Sequence, residues 1–160
     1  MAKNNSRQPK IGDIIEFETP NGFAYAQFSH FHDKPPQFGY LLRILQGTFE
    51  FRPTSFAALA AGEDRFNVFF PLAASLRAGE VKIVANEPVP ERCRSFPLFR
   101  NGVRDPRTGR VKVWWLWDGV REWKVGELTD ELRQLSFLRI SDATAIVERI
   151  TRQYSPFDEV

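Results

Sequence analysis

Two histidines and one cysteine are the residues of this chain best suited to metal or nucleophilic chemistry. His30 and His32 are two positions apart in the segment HFHD, and in a strand this spacing places both side chains on the same side. Such a pair supplies half of a zinc site, but the sequence has no third histidine, and Cys93 is far away along the chain. A single cysteine of this kind is more often partly buried and inert than nucleophilic. We therefore predict no metal, no cofactor and no catalytic cysteine.

Sequence patterns of the common enzyme classes do not occur either. The chain has no P-loop, no dinucleotide-binding fingerprint and no Gly-x-Ser-x-Gly segment. Its acidic pairs have ordinary structural explanations: Glu16 and Glu18 fit a solvated strand face, and Asp130 and Glu131 fit the first turn of a helix capped by Thr129. The sequence therefore predicts a protein that is not an enzyme.

The segment RNGVRDPRTGR is the most basic part of the chain. It contains Arg100, Arg104, Arg107 and Arg110, and only Asp105 offsets their charge. A segment this rich in turn-forming residues is either a solvated loop or an anchor for the carboxylates of a protein or for phosphates. In the second case, Arg104 and Arg107 are the candidate partner-binding residues.

All four tryptophans lie in the segment VKVWWLWDGVREWKVG. The dipeptide Asp118-Gly119 suits a hairpin turn, so two strands are expected to flank it. Alternation along these strands places Trp114 and Trp123 on one face. We predict that this face belongs to the core of the domain.

The opposite face of the predicted hairpin carries Trp115 and Trp117, with polar residues beside them. Two large aromatic side chains on a mixed surface need a covering segment or a binding partner. Packing under another part of the chain is one explanation. Under the other, Trp115 and Trp117 bind a partner together with the arginine loop.

Composition and charge restrict the class of protein. A chain of 160 residues with 42% hydrophobic residues has the size and composition of one globular domain. We place a mobile N-terminal tail at residues 1–10 and a single domain at residues 11–160. No segment has the apolar length of a membrane span or a secretory signal, which predicts a cytoplasmic protein. A net charge of +2 permits a nucleic-acid partner but does not require one.

The elements that position these residues are mainly strands. Alternating apolar residues predict strands near Ile14, Tyr25, Leu42, Val68, Ile83, Trp115 and Trp123. Short helices are expected within PTSFAALAAG, capped by Thr54 and ended by Gly62, and within PLAASLRAG; a longer helix runs from Asp142 to Gln153. The predicted fold is mainly β (α+β): one curled antiparallel, partly barrel-like sheet with a few short helices, closed by the C-terminal helix.

Five segments, in this order, resemble the immunity protein 26 family of bacterial polymorphic toxin systems. They are GDIIEFETPNGFAYAQF, LRAGEVKIVANEPVP, FPLFRNG, WWLWDGVREWKVGELTDEL and IVERI. The resemblance spans nearly the whole chain after the N-terminal tail, and the order of the segments carries it. It implies a small, mainly β protein without catalysis that binds and neutralises a cognate toxin.

Two classes of binding function follow from these observations. The first is an immunity protein that occludes a cognate protein toxin, with Arg104, Arg107, Trp115 and Trp117 at the interface. The alternative is a nucleic-acid-binding β-barrel module that uses the arginine loop and exposed tryptophans. The basic isoelectric point favours this alternative, and the small net charge disfavours it. An enzyme of an unrecognised type is a third interpretation.

Overall fold

Two antiparallel sheets form the β structure of residues 7–160, which are the residues that the computed structural model describes. The first contains β1 (Asp13–Thr19), β2 (Gly22–His32), β3 (Gly39–Leu45), β4 (Asp64–Phe69) and β5 (Lys82–Asn86), in the order β4-β3-β2-β1-β5. The second contains β6 (Phe99–Asn101), β7 (Trp114–Trp117) and β8 (Glu122–Gly126), in the order β6-β7-β8. The mainly β prediction is confirmed. The expectation of one curled sheet is wrong, because the tryptophan hairpin belongs to a sheet of its own and neither sheet closes.

Four α-helices lie within the described residues: α1 (Ala57–Ala61), α2 (Leu72–Arg77), α3 (Asp130–Arg133) and α4 (Ala143–Thr151). The predicted Thr54 cap is wrong, since α1 starts after Phe56 without a side-chain cap, but Gly62 ends this helix as expected. The hydroxyl of Thr129 caps α3 as predicted, by accepting from the N–H of Leu132. None of these helices has the length and apolar character required to cross a membrane.

Near the N-terminus, residues 1–6 of the predicted tail lie outside the described residues. Arg7 donates two hydrogen bonds to the buried carboxylate of Asp13, with distances of 2.7 and 2.9 Å. The segment before β1 is thus tied to the first sheet at Arg7.

The first hairpin joins β1 and β2 through a two-residue turn. Thr19 pairs with Gly22, so Pro20 and Asn21 are the two residues of the turn. Gly22 has a φ of +123°, and a Cβ atom there would lie 2.3 Å from the carbonyl oxygen of Phe49. This close approach requires glycine and lets residue 49 bond to the hairpin at Phe23.

One face of the first sheet carries the main hydrophobic cluster and is covered by α2 and α4. Ile15 and Phe17 point to this side, and Ile146 and Ile150 of α4 pack against it. The predicted C-terminal helix therefore forms and covers the sheet, as expected. The carboxylate of Asp142 caps α4 by accepting from the N–H of Ala145 at 2.8 Å, which satisfies a helix donor that has no partner within the helix.

The other face of the first sheet contains a buried arginine. Arg43 is 0% exposed and its guanidinium binds four acceptors. It donates to the carboxylate of Asp64 at 2.5 Å, to the side-chain carbonyl of Gln27 at 2.6 Å, and to the backbone carbonyls of Ala60 and Gly62 at 2.8 and 2.7 Å. These bonds compensate for the loss of hydration and fasten the end of α1 to the sheet.

Glu16 is buried on the same face, so the expected solvated strand position is wrong. It is 3% exposed and accepts two hydrogen bonds from Arg52, at 2.7 and 2.8 Å, and one from the hydroxyl of Tyr25 at 2.9 Å. Hydrogen bonding to Arg52 lowers the pKa of Glu16 below its ordinary value of 4.5, although burial acts in the opposite direction. Segment 46–56 is thereby held against the sheet.

The lowered pKa of Glu16 makes the stability of the protein depend on pH. The ionised carboxylate contributes its full stabilisation above pH 4.5, and this contribution is lost as the pH falls through the lowered pKa of the folded state. We expect the variant Glu16→Gln to lose less of its free energy of unfolding than the wild type between neutral pH and about pH 3. Urea denaturation across this range measures the difference. Glu18→Gln, at an exposed position of the same strand, is the control; parallel curves for Glu16→Gln and the wild type would contradict the assignment.

An aromatic cluster joins the two sheets. Leu41 and Phe69 of the first sheet pack against Phe99 and Trp117 of the second. The ring of His32 lies against Trp117 with a centroid distance of 5.0 Å, and its Nε2 atom is 2.8 Å from the carbonyl oxygen of Gly119. The turn of the tryptophan hairpin is therefore bonded directly to β2.

Candidate partner-binding surface

The tryptophan hairpin has a four-residue loop. Trp117 pairs with Glu122, which leaves residues 118–121 between the strands. The carboxylate of Asp118 accepts from the N–H groups of Val120 and Arg121, at 2.9 and 2.7 Å, and so stabilises the turn. In this register Leu116 is opposite Trp123, and the two side chains share one face of the sheet.

The exposure of the tryptophans differs from the prediction at Trp123. Trp114 is 5% exposed and lies in the core as expected, whereas Trp123 is 40% exposed. Trp117 is 6% exposed, and Trp115 is 37% exposed. The burial predicted for Trp123 is wrong because β8 is an edge strand and no segment within residues 7–160 pairs with its outer side. Trp117 is covered by the aromatic cluster, which agrees with the packing explanation and not with a partner-binding role, while Trp115 extends beyond that cluster.

Arg100 is a structural residue of the core. It is 0% exposed; its guanidinium donates to the carbonyls of Leu135 at 3.0 Å, Glu159 at 3.1 Å and Pro156. The same group lies 4.7 Å from the ring centroid of Trp114. Arg100 thus fixes the C-terminal segment to β6 and is not part of the exposed arginine loop.

Arg104 is half-exposed but already paired within the chain. Its guanidinium donates to the carboxylate of Glu159 at 2.8 Å and to the carbonyl of Gly109 at 2.7 Å. Glu159 also accepts from Arg139 and from the hydroxyl of Tyr154, at 2.7 Å each. A partner that binds Arg104 would have to compete with this network. Partner binding is therefore less favourable at Arg104 than at Arg107.

Arg107 and Arg110 are the exposed cations of the loop whose side chains have no ion pair or hydrogen bond within residues 7–160. The carboxylate of Asp105 is occupied: it accepts from the backbone N–H of Arg107 at 2.8 Å and pairs with Lys112 at 3.4 Å. Both guanidinium groups therefore keep their donors available to an external carboxylate or phosphate.

Exposed apolar side chains lie at the base of the same loop. Val103 is 88% exposed and Val113 is 40% exposed. Arg104 and Val111 form an antiparallel bridge, and Asn101 pairs with Trp115, so the two ends of the loop run side by side. We define the loop patch as the exposed residues of this loop and its base: Val103, Arg107, Arg110, Val113 and Trp115.

The sequence prediction did not single out Val103, Val113 or Arg110. Arg110 belongs to the basic segment recognised in the sequence. Whether its guanidinium group can bind a partner depends on which acidic side chains are already paired within the chain. The two ends of the loop approach closely at Gly102, where a Cβ atom would lie 2.4 Å from the side chain of Val111. Alternation along a strand gives no signal for the exposure of the two valines.

The histidine pair is used in packing. Both rings contact Phe96, with centroid distances of 5.5 Å for His30 and 5.6 Å for His32. The Nε2 atom of His30 is 2.8 Å from the carbonyl oxygen of Arg94, so this nitrogen donates. Cys93 is half-buried at the end of a single 3-10 turn. Residues 7–160 contain no group of three histidine, cysteine or acidic side chains placed to hold a metal ion.

Comparison of the chain with protein-family models, with curated proteins and with solved structures finds no match. The resemblance to the immunity protein 26 family therefore stays a prediction.

Proposed function

We propose that this protein is a non-catalytic immunity protein that binds a cognate bacterial toxin in the cytoplasm and neutralises it by stoichiometric occlusion. The observation that carries the proposal is the loop patch, which combines the exposed side chains of Arg107 and Arg110 with exposed Val103, Val113 and Trp115. Arginine and tryptophan are the side chains that most often contribute strongly to protein interfaces. Occlusion of a toxin needs such anchors and needs no proton transfer or metal.

The rigidity of the patch also supports binding. The loop is closed by the bridge between Arg104 and Val111 and tied to the C-terminal segment through Glu159. Trp115 lies on a strand paired on both sides, by Asn101 and Lys124. A backbone that is ordered before binding loses little conformational entropy in the complex, which favours affinity.

The class of function can be tested with the gene adjacent to the one that encodes this chain. The toxic domain of its product is expressed in bacterial cells with and without this protein, and survival is measured. We expect the toxin to kill cells unless this protein is present, and the two purified proteins to form a complex of equal stoichiometry. A non-toxic neighbour, or one that this protein neither binds nor neutralises, contradicts the immunity function.

Replacing Arg107 and Arg110 together with alanine is expected to weaken the complex by about tenfold or more, because two unpaired anchors are removed from the interface. The melting temperature should stay close to that of the wild type, since neither side chain has an intramolecular partner within residues 7–160. Calorimetric titration with the toxin measures the affinity.

The matched control removes the same charge elsewhere, at exposed Lys34 and Arg77. This control should bind as the wild type does. If the loop variant and the wild type bind the toxin with equal affinity, the interface lies outside the loop patch. That result would not contradict the immunity function.

Binding of nucleic acid is the alternative that the same variants test. If Arg107 and Arg110 bind phosphates, the wild type should bind single-stranded nucleic acid with an affinity that falls steeply as salt rises. The double variant should then show a shallower salt dependence. If this result is obtained and the adjacent gene does not encode a toxin, nucleic-acid binding is favoured over the immunity function.

A further inference from the structure

The outer edge of β8 is open. Within residues 7–160, Glu122–Gly126 pair only with β7, and no isolated bridge or loop hydrogen bond reaches them from another segment. Trp123 in this strand is 40% exposed. An open edge presents unpaired N–H and C=O groups that a further strand can satisfy. We propose that β8 pairs antiparallel with β8 of a second copy of this chain, so that the second sheet continues across a twofold axis.

The hairpin determines which backbone groups are available at this edge. Asp118 and Arg121 are opposite each other, and the N–H of Asp118 donates to the carbonyl of Arg121 at 3.1 Å. Bonded and non-bonded pairs alternate along an antiparallel ladder, so Leu116 and Trp123 form the next bonded pair. The backbone groups of Trp123 therefore face β7, and those of the residues on either side of it face outward.

The outward-facing residues are Glu122 and Lys124. A second β8 strand can bond only through these residues, which leaves three central registers: Glu122 opposite Glu122, Lys124 opposite Lys124, or Glu122 opposite Lys124. The first two place like charges directly opposite each other, which destabilises a sheet. The third places opposite charges together twice, once on each side of the axis. Charge and backbone geometry thus select one register.

The selected register has Trp123 on the twofold axis. The two Trp123 residues form a non-bonded pair, in which Cα atoms are about 4.5 Å apart and side chains are closest. Both indoles project from the face shared with Leu116 and would cover each other. Aromatic pairs across strands stabilise a sheet in this position. The second copy would cover Trp123, which the fold of one chain leaves 40% exposed.

The charges of β8 also explain why this edge would not bind strands at random. A lysine on an edge strand ordinarily prevents pairing with other chains. Here the charge of Lys124 is paired with that of Glu122 only when an antiparallel copy binds in the selected register. The contact is isologous, so it closes after two chains and does not continue into a fibre.

Sedimentation of the wild type over increasing concentration tests the contact. We expect an equilibrium between monomer and dimer. Glu122→Lys and Lys124→Glu should each weaken dimerisation by about tenfold or more, because each creates like charges opposite each other. The double exchange Glu122→Lys with Lys124→Glu should dimerise like the wild type.

An equimolar mixture of the two single variants gives the sharpest result. One variant has lysine at both positions and the other has glutamate at both, so the mixture should form heterodimers although each variant alone stays monomeric. Glu148→Lys, an exposed position on α4, is the control and should dimerise normally. A wild type that is monomeric at millimolar concentration overturns the contact, as does a dimer that tolerates both single reversals or a mixture without heterodimers.

Discussion

Replacing Arg43 with methionine is expected to lower the free energy of unfolding by about 3–5 kcal/mol, because it leaves buried acceptors without a donor. The guanidinium is 0% exposed and serves Asp64, Gln27 and two backbone carbonyls at the end of α1. Methionine fills part of the volume but donates no hydrogen bond. Urea denaturation at neutral pH measures the loss.

Two further variants separate the hydrogen bonds of Arg43 from its charge. Arg43→Lys keeps the charge, but an ammonium group cannot reach four acceptors arranged around a planar guanidinium, so we expect an intermediate loss. Arg77→Met, at an exposed position of α2, should change the free energy of unfolding by less than about 0.5 kcal/mol. An Arg43→Met protein as stable as Arg77→Met would show that the buried network contributes nothing to stability.

Trp117→Ala is expected to destabilise the protein by about 3–5 kcal/mol, because it empties the centre of the contact between the two sheets. The indole of Trp117 lies 5.3 Å from the ring of Phe38, 5.5 Å from Phe96 and 5.8 Å from Phe99. Its removal leaves a cavity that these rings can fill only by moving both sheets. Thermal and urea denaturation measure the effect.

Trp115→Ala is the matched control for this change. Trp115 is two positions away on the same strand and the same face, yet it is 37% exposed and extends beyond the aromatic cluster. Its replacement should cost much less stability and should instead weaken binding at the loop patch. Equal losses of stability at the two positions would contradict the distinction between a buried and a partner-binding tryptophan.

Local signals account for the parts of the fold that the sequence predicts correctly. The turn residues Pro20 and Asn21 define the first hairpin, and Asp118 and Gly119 define the second, because these residues favour the required backbone angles. The caps at Thr129 and Asp142 are equally local, since each bonds to an N–H group three residues along. The sequence therefore predicts where most strands and helices occur.

Exposure could not be predicted in the same way, since it depends on contacts between distant segments. Alternation correctly assigns Trp117 and Trp115 to one face, but it does not reveal that Phe69 and Phe96 cover only the first of them. Likewise, nothing within the basic segment distinguishes Arg100, whose acceptors lie at residues 135, 156 and 159, from Arg107. Of the four predicted partner-binding residues, Arg107 and Trp115 remain suitable, Arg104 is paired, and Trp117 is buried.

The position of α4 along the chain affects how the protein is synthesised. All strands of the first sheet are complete at residue 86, but Ile146 and Ile150, which cover its apolar face, are added much later. Because a ribosome makes the N-terminal part first, Phe17 and Phe66 remain uncovered by α4 while the second sheet is being translated. The nascent chain thus passes through a stage in which all strands of the first sheet have been synthesised but its apolar face is not yet covered by α4. We therefore expect the chain to be most prone to aggregation during that interval.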